Sequence, residues 1–387
     1  MVLVPAAPAP ARSAPMTDSL QPPPRGKRAW LQRLVGLAVF AGAVYLVHRL
    51  VAEVGWREVG ERLAAAELPV VAVAVACLLG QLALWAFRQR LSIRRILETP
   101  PGWTIFLALL ATAAANFLLP FARLLGGLMR ARYLSRTSEP KAPKRVYYGA
   151  VLFDQAVHFL VMASVTVVGL IGASVALDRP RLAWGLSLAL AAAVAGAFWW
   201  ARRATRETGG GFVRFLERRA ARQQGVVGRL LAGSETAARV FLELAGHPGL
   251  WLRTVALGLA LFVFVAAAQW TVFLALGTEI EPLVVVATVA LGLTAGVLLG
   301  TPGGLGTAEA TMIALYGAFG VDRVDAASAV LLFRGLQFGV VLALGLPSMG
   351  ALELYAVVVH RRAEAGEAAR VEAGMEVEEV LEEVGQG

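Results

Sequence analysis

Cysteine and charged residues are scarce in this chain of 387 residues. Its one cysteine, Cys77, lies in an apolar run, which excludes an intramolecular disulfide and a cysteine-based metal site. Charged residues make up only 16% of the chain and hydrophobic residues 58%, with a mean hydropathy of +0.66. A soluble domain of this size cannot bury so much apolar surface. We therefore expect an all-α polytopic membrane protein.

The basic residues give a net charge of +9, but their distribution does not indicate a nucleic-acid partner. They stand in blocks between apolar runs, as in cytoplasmic loops that face anionic lipid. This arrangement predicts a multi-pass protein of a bacterial-type cytoplasmic (inner) membrane. Both chain termini are predicted to lie in the cytoplasm.

Between residues 30 and 360 the apolar runs predict about six full membrane spans. Residues 1–29 are rich in proline and alanine and are expected to be disordered, and Met16 is a second candidate for the start. Residues 201–249 form a basic cytoplasmic connection, whose apolar positions lie at helical spacing and predict helices lying on the membrane surface. These positions are Phe212, Phe215, Leu216, Val240, Phe241 and Leu244. Residues 361–387 form an acidic tail. The predicted spans are 34–50, 68–87, 148–171, 182–200, 251–276 and 326–346.

Two further apolar segments are interrupted by proline. The run from Leu283 to Phe319 contains Pro302 followed by glycines, which end a helix and relax the backbone. The run from Trp103 to Leu134 contains Pro120; a full crossing there would place arginine-rich loops on the outside, against the charge rule. We therefore predict two re-entrant helix pairs, entered from opposite sides, which is typical of an inverted repeat with a midplane site.

Charged residues within the apolar segments are the candidates for function. Glu309 is the one charged residue between Leu283 and Val321, and Arg334 lies well inside the last span. A charge at such a depth costs ~2.5–3.5 kcal/mol on insertion scales, so a functional role is expected. Glu309 could receive a proton, bind a cationic headgroup or pair with Arg334, and a purely structural pair stays open.

In the first half, Arg123 and Arg130 are two helical turns apart and share a face. Their guanidinium groups suit a lipid phosphate, unless both arginines reach out to the cytoplasmic headgroups. Asn116 either lines a cavity or bonds the backbone freed at Pro120. Asp154 and His158, four residues apart, form a proton relay or an interhelical hydrogen bond.

These motifs, in this order, resemble the flippase-like membrane domain of lysylphosphatidylglycerol synthases and their stand-alone relatives, over about residues 30–360. The resemblance implies lipid handling by Asn116, Arg123, Arg130, Gly303, Gly304, Glu309 and Arg334. The family's Glu-Arg-x-x-Asp-like element is replaced here by Asp154-Gln155-Ala-Val-His158. The larger synthases add an aminoacyl-transferase domain, which we do not expect after Arg362. The resemblance is carried by Asn116-x-x-x-Pro-x-x-Arg123-x-x-Gly-Gly-x-x-Arg130, His247-Pro-Gly, Thr301-Pro-Gly-Gly-Leu-Gly-Thr-Ala-Glu309 and Leu332-Phe-Arg334-Gly-Leu.

The function expected from these features is translocation of a lipid that carries an anionic or lipid-linked phosphate headgroup. No Gly-x-x-x-x-Gly-Lys-Ser/Thr motif occurs in the sequence, so transport would be passive or ion-coupled. We expect no metal and no cofactor, and a homo-oligomer stays open. One alternative is a membrane-embedded enzyme acting on lipid phosphates, with Asp154, His158 or Glu309 as acid–base groups. Another is a non-catalytic subunit that recruits partners through the acidic tail.

Overall fold

The computed structural model describes residues 55–97, 102–118, 122–138, 143–176, 225–298 and 302–385, with a few isolated positions elsewhere. Every regular element in these ranges is helical, which confirms the predicted all-α class. One 3₁₀ turn, Pro302–Gly304, stands among the α-helices of these described ranges. The α-helices are α1 (Trp56–Ala64), α2 (Leu68–Arg94), α3 (Gly102–Leu118), α4 (Ala122–Thr137), α5 (Lys144–Ala176), α6 (Gly225–Ala245), α7 (Pro248–Ala275), α8 (Pro282–Leu298), α9 (Thr307–Ala318) and α10 (Arg323–Gly385).

Four described helices are long and apolar enough to cross a membrane: Leu68–Arg94, Lys144–Gly172, Pro248–Ala275 and Arg323–Val359. They contain four of the six predicted spans. The other two, 34–50 and 182–200, lie outside the described residues, as does the N-terminal segment 1–29. A multi-pass membrane fold is thus established, and the total of six spans stays a prediction.

Two shorter apolar helices, α3 and α8, each pack against the helix that follows them in the chain. α3 ends at Leu118 and α4 begins at Ala122, on either side of Pro120. α8 ends at Leu298, and α9 begins at Thr307 after the 3₁₀ turn at Pro302. The two predicted helix pairs are therefore present. Their re-entrant path through the bilayer stays a prediction.

The apolar face of α6 packs on protein. Val240 and Leu244 are buried, and Phe241 contacts Phe153 of α5 with ring centroids 6.3 Å apart. Gly149 of α5 permits this approach, because a Cβ at that position would lie 2.6 Å from the Ala237 carbonyl oxygen. These apolar side chains therefore contact protein, and the position of α6 at the membrane surface stays a prediction. The other apolar positions of this prediction, Phe212, Phe215 and Leu216, lie outside the described residues.

The last helix, α10, brings the two halves of the chain together. It packs along α3 and also contacts α9. At Gly345 the two backbones approach closely, since a Cβ there would lie 2.6 Å from the Leu110 carbonyl oxygen. Further along the same contact, the rings of Phe117 and Phe338 lie 4.3 Å apart. This contact places the second interrupted segment beside the end of α3.

Candidate functional site

The turn between α8 and α9 has a backbone that only glycine adopts without strain. Gly303, Gly304 and Gly306 have φ angles of +58°, +75° and +78°. The interruption leaves carbonyl groups without helical partners, and burying such groups unpaired is costly. Arg334 of α10 donates from Nη2 to the Gly303 carbonyl oxygen at 2.6 Å. The arginine of the last span thus donates a hydrogen bond to the backbone of the broken segment.

Arg334 also forms the predicted ion pair with Glu309. Its Nε donates to Glu309 Oε1 at 2.6 Å, and Nη1 donates to Gln337 Oε1 at 2.6 Å. The guanidinium carbon lies 4.9 Å from the centre of the Phe338 ring. Glu309 and Arg334 are only 2% and 4% exposed, and the second carboxylate oxygen of Glu309 has no hydrogen-bond partner among the described residues. The pair is compact, nearly dry and formally neutral.

A second buried cluster surrounds Asp154 of α5. Its carboxylate accepts a hydrogen bond from Arg88 Nε at 2.8 Å and another from Trp85 Nε1 at 2.9 Å, both on α2. Arg130 Nη1 of α4 lies 3.8 Å from Asp154 Oδ2. Asp154 therefore forms interhelical hydrogen bonds, one of the two alternatives that the sequence left open, because both close donors come from a neighbouring helix.

Arg130 is held by polar groups of two further helices. Its Nε donates to Thr112 Oγ1 of α3 at 3.0 Å, and Nη1 donates to Gln89 Oε1 of α2 at 3.2 Å. Its guanidinium carbon lies 5.1 Å from the centre of the Trp85 ring. Arg130 is buried, so the alternative in which it reaches out to the headgroups does not apply to this residue.

The sequence reasoning missed Arg88 and Trp85. The predicted span ended at Phe87, so Arg88 was placed in a basic cytoplasmic loop. In the structure α2 continues to Arg94, and Arg88 is fully buried. One signal was available, because the buried stripe of Leu78 and Leu82 continues at helical spacing through Gln89 and Ile93. A loop would not be expected to continue that stripe.

The remaining candidates are His158, Asn116 and Arg123. His158 stacks on Trp85, with ring centroids 5.9 Å apart. Asn116 packs against Gly126, where a Cβ would lie 2.4 Å from the amide oxygen. Arg123 belongs to α4, and its side chain lies outside the described part of the chain.

One cavity of about 390 Å³ lies between the two clusters. Gly303, Gly304 and Arg334 line it on one side, and Arg130 and Asp154 line it on the other. Glu309 does not line the cavity and lies behind Arg334. The volume is in the usual range of about 300–1,000 Å³ for small-ligand sites. The rest of the lining consists mostly of apolar side chains. It also includes the polar side chains of Asn116, Gln155, His158 and Gln337.

The two clusters carry different formal charges. Glu309 and Arg334 cancel, whereas Arg88 and Arg130 face the single carboxylate of Asp154. Counted over the described residues, the second cluster therefore carries a formal net charge of +1. Among the described residues, no group of three or more His, Cys, Asp or Glu side chains is placed to hold a metal ion.

The fold and the cavity define a multi-pass helical membrane protein with buried charged side chains at its centre. The family model described as the lysylphosphatidylglycerol synthase TM region matches residues 33–345, and the chain belongs to that family. The chain is also similar to a UPF0104 membrane protein of Methanothermobacter thermautotrophicus. The two are 24% identical over 329 residues, which cover 82% of this chain and 93% of the relative.

Proposed function

We propose that the protein is a lipid translocator that carries a polar headgroup through its central cavity. The observation that supports this most strongly is that charged groups from both halves of the chain line one cavity. The family is named after a synthase of lysylphosphatidylglycerol, a charged phospholipid, which agrees with a lipid as the transported molecule.

The physical barrier to lipid translocation is the transfer of a charged headgroup through hydrocarbon. A single charged side chain at the bilayer centre already costs ~2.5–3.5 kcal/mol on insertion scales. Fixed donors in a protein cavity replace part of the lost hydration. Arg130 and Arg334 would meet a headgroup phosphate, and the apolar part of the lining would accompany the glycerol region. The acyl chains would stay in the bilayer.

The Glu309–Arg334 pair would act at the wall of this path. Arg334 lines the cavity and also holds the interrupted turn through the Gly303 carbonyl. Any ligand that attracts the Arg334 guanidinium therefore acts on both Glu309 and the turn. Such a shared residue would couple headgroup binding to the position of the α8–α9 segment.

A reconstitution assay tests the proposal. Vesicles that contain fluorescent lipids are treated with dithionite, which bleaches only the outer leaflet, and the extra bleaching caused by protein reports translocation. We expect wild-type protein to exceed empty vesicles for at least one headgroup and Arg334→Gln to lose most of the excess. Arg57→Gln is the matched control, because Arg57 forms an exposed pair with Glu61 on α1. Wild-type bleaching equal to empty vesicles for anionic and zwitterionic lipids alike would reject translocation.

The same vesicles separate transport from catalysis. Mass spectrometry of the extracted lipids identifies any chemical product. Lipid conversion without translocation would favour the membrane-embedded enzyme instead.

A further inference from the structure

Arg88 is a buried cation whose hydrogen bonding is incomplete. Its Nε bonds to Asp154, but both Nη1 and Nη2 are buried and have no partner in the described part of the protein. Buried polar atoms are nearly always hydrogen-bonded, and a guanidinium nitrogen is costly to leave unpaired. Two such atoms on one residue call for an acceptor that the described part of the protein does not supply.

The position of Gly258 shows from which side an acceptor can come. Gly258 of α7 lines the cavity, and a Cβ at this position would lie 3.1 Å from Arg88 Nη1. Arg88 itself does not line the cavity and lies directly behind this glycine. Because Gly258 has no side chain, the Arg88 guanidinium packs against its backbone, and the Val161 side chain, which also lines the cavity, lies against the same glycine.

The charge of the surrounding residues selects the kind of acceptor. Arg88 and Arg130 share the one carboxylate of Asp154, which leaves a formal charge of +1. Next to them the Gln89 amide nitrogen is also buried without a partner. All of these unpaired groups are donors. An anion with several oxygens would satisfy them and would also neutralise the cluster.

We propose that Arg88, Arg130 and Gln89 form a phosphate-binding subsite that is reached from the cavity beside Gly258. The ligand class is a phosphate group of net negative charge, as in the headgroup of an anionic phospholipid. This inference rests on the proposed function for the cavity as a lipid site, and its test measures binding without transport. The phosphate would lie between the Arg88 guanidinium and Arg130.

The test adds a methyl group at Gly258, which blocks the route of an anion from the cavity to Arg88 and changes no charge. Gly258→Ala alone would place its Cβ 2.7 Å from Val161 Cγ2, so that variant risks misfolding. The double variant V161A/G258A removes that overlap and keeps the new methyl group beside Arg88 Nη1. The reference protein is V161A, so both proteins carry the same change at Val161.

Binding is measured on purified protein in an uncharged detergent, by the shift in thermal unfolding with increasing ligand. The ligands are short-chain phosphatidylglycerol, short-chain phosphatidylcholine and inorganic phosphate. We expect V161A to bind phosphatidylglycerol, and the double variant to bind it about tenfold or more weakly, since charge-assisted hydrogen bonds are lost. Binding of phosphatidylcholine is expected to be weaker than that of phosphatidylglycerol in V161A.

The inorganic phosphate arm identifies the source of the phosphate group. A shift by phosphate in V161A that is lost in V161A/G258A supports the subsite with free phosphate as a ligand, and a shift by phosphatidylglycerol alone supports a lipid headgroup. Equal affinity of the two proteins for every ligand overturns the subsite, even where the vesicle assay detects translocation. Conversely, selective binding without translocation supports the subsite and rejects only the transport function.

Discussion

The two charged clusters beside the cavity differ in how completely their arginines are satisfied. All three guanidinium nitrogens of Arg334 donate hydrogen bonds, to Glu309, Gln337 and the Gly303 carbonyl. Arg88 is buried at least as deeply, yet among the described residues only its Nε has a partner. Burial alone therefore does not reveal the role of an intramembrane arginine. The contacts of Arg334 hold the turn and the cavity wall together, whereas the two Nη atoms of Arg88 are the donors on which the proposed anion subsite rests.

Among the variants that compare the two clusters, those at Arg334 are expected to lose the most stability. Arg334→Met leaves the Glu309 carboxylate buried without a counter-charge and the Gly303 carbonyl without its donor. Breaking one partner of a buried pair typically costs about 3–5 kcal/mol in the free energy of unfolding. The double variant E309Q/R334M should recover part of this loss, because no uncompensated charge is left. Thermal unfolding of the purified variants in detergent measures the difference.

The exposed pair between Arg57 and Glu61 is the control for that experiment. Arg57→Gln should change the free energy of unfolding by no more than about 0.5 kcal/mol, since both side chains are largely in solvent. If the single and double variants at Glu309 and Arg334 lose the same stability, the two residues are not coupled and the ion pair has no structural role.

A smaller effect is expected at the turn that Arg334 holds. Gly303→Ala places a side chain at a φ of +58°, where the new Cβ would lie 2.5 Å from Phe117 Cδ1. Backbone strain of this kind costs about 1–3 kcal/mol, and the overlap with Phe117 adds to it. Thermal unfolding again reports the loss. Gly339→Ala is the matched control, because this α10 glycine has no neighbouring atom within 4 Å of the added methyl group and should be neutral or stabilised. Equal stability of the two variants would show that the turn tolerates a side chain.

The smallest effect on stability is expected at Arg88. Arg88→Met removes two unpartnered buried donors, and Asp154 keeps the hydrogen bond from Trp85 and the charge of Arg130. The loss in free energy of unfolding should therefore stay below about 2 kcal/mol and below that of Arg334→Met. Measured side by side in one detergent, a larger loss at Arg88 than at Arg334 would contradict the contrast between the two clusters.

The cluster on the α8–α9 side could be predicted from local sequence rules. Pro302 and the glycines that follow it predict an interruption inside an apolar run, and this prediction does not depend on the tertiary fold. Glu309 and Arg334 stand out because each is a charge in an apolar segment, and pairing is the simplest way to bury both. The structure adds the Gly303 carbonyl as a third partner of Arg334, which needs knowledge of the turn geometry.

The cluster around Asp154 could be predicted only in part. Its members come from α2, α3, α4 and α5. The spacing of residues along the chain does not predict that these helices contact one another. Arg88 also stands close to Arg90 and Arg94, and such a basic run is typical of a cytoplasmic loop. The continued helical stripe through Gln89 and Ile93 was the one signal for burial. Which arginine of a basic run faces the protein interior is decided by helix packing.

A structure of the protein in lipid nanodiscs that contain phosphatidylglycerol tests the central claim most directly. Cryo-electron microscopy would locate the cavity relative to the bilayer and any lipid within it. The account predicts interrupted helices at Pro120 and Pro302 within the hydrocarbon region, and a headgroup phosphate in the cavity beside Arg130. Unbroken helices at these prolines, or a cavity filled by side chains with lipid only on the outer surface of the protein, would contradict it.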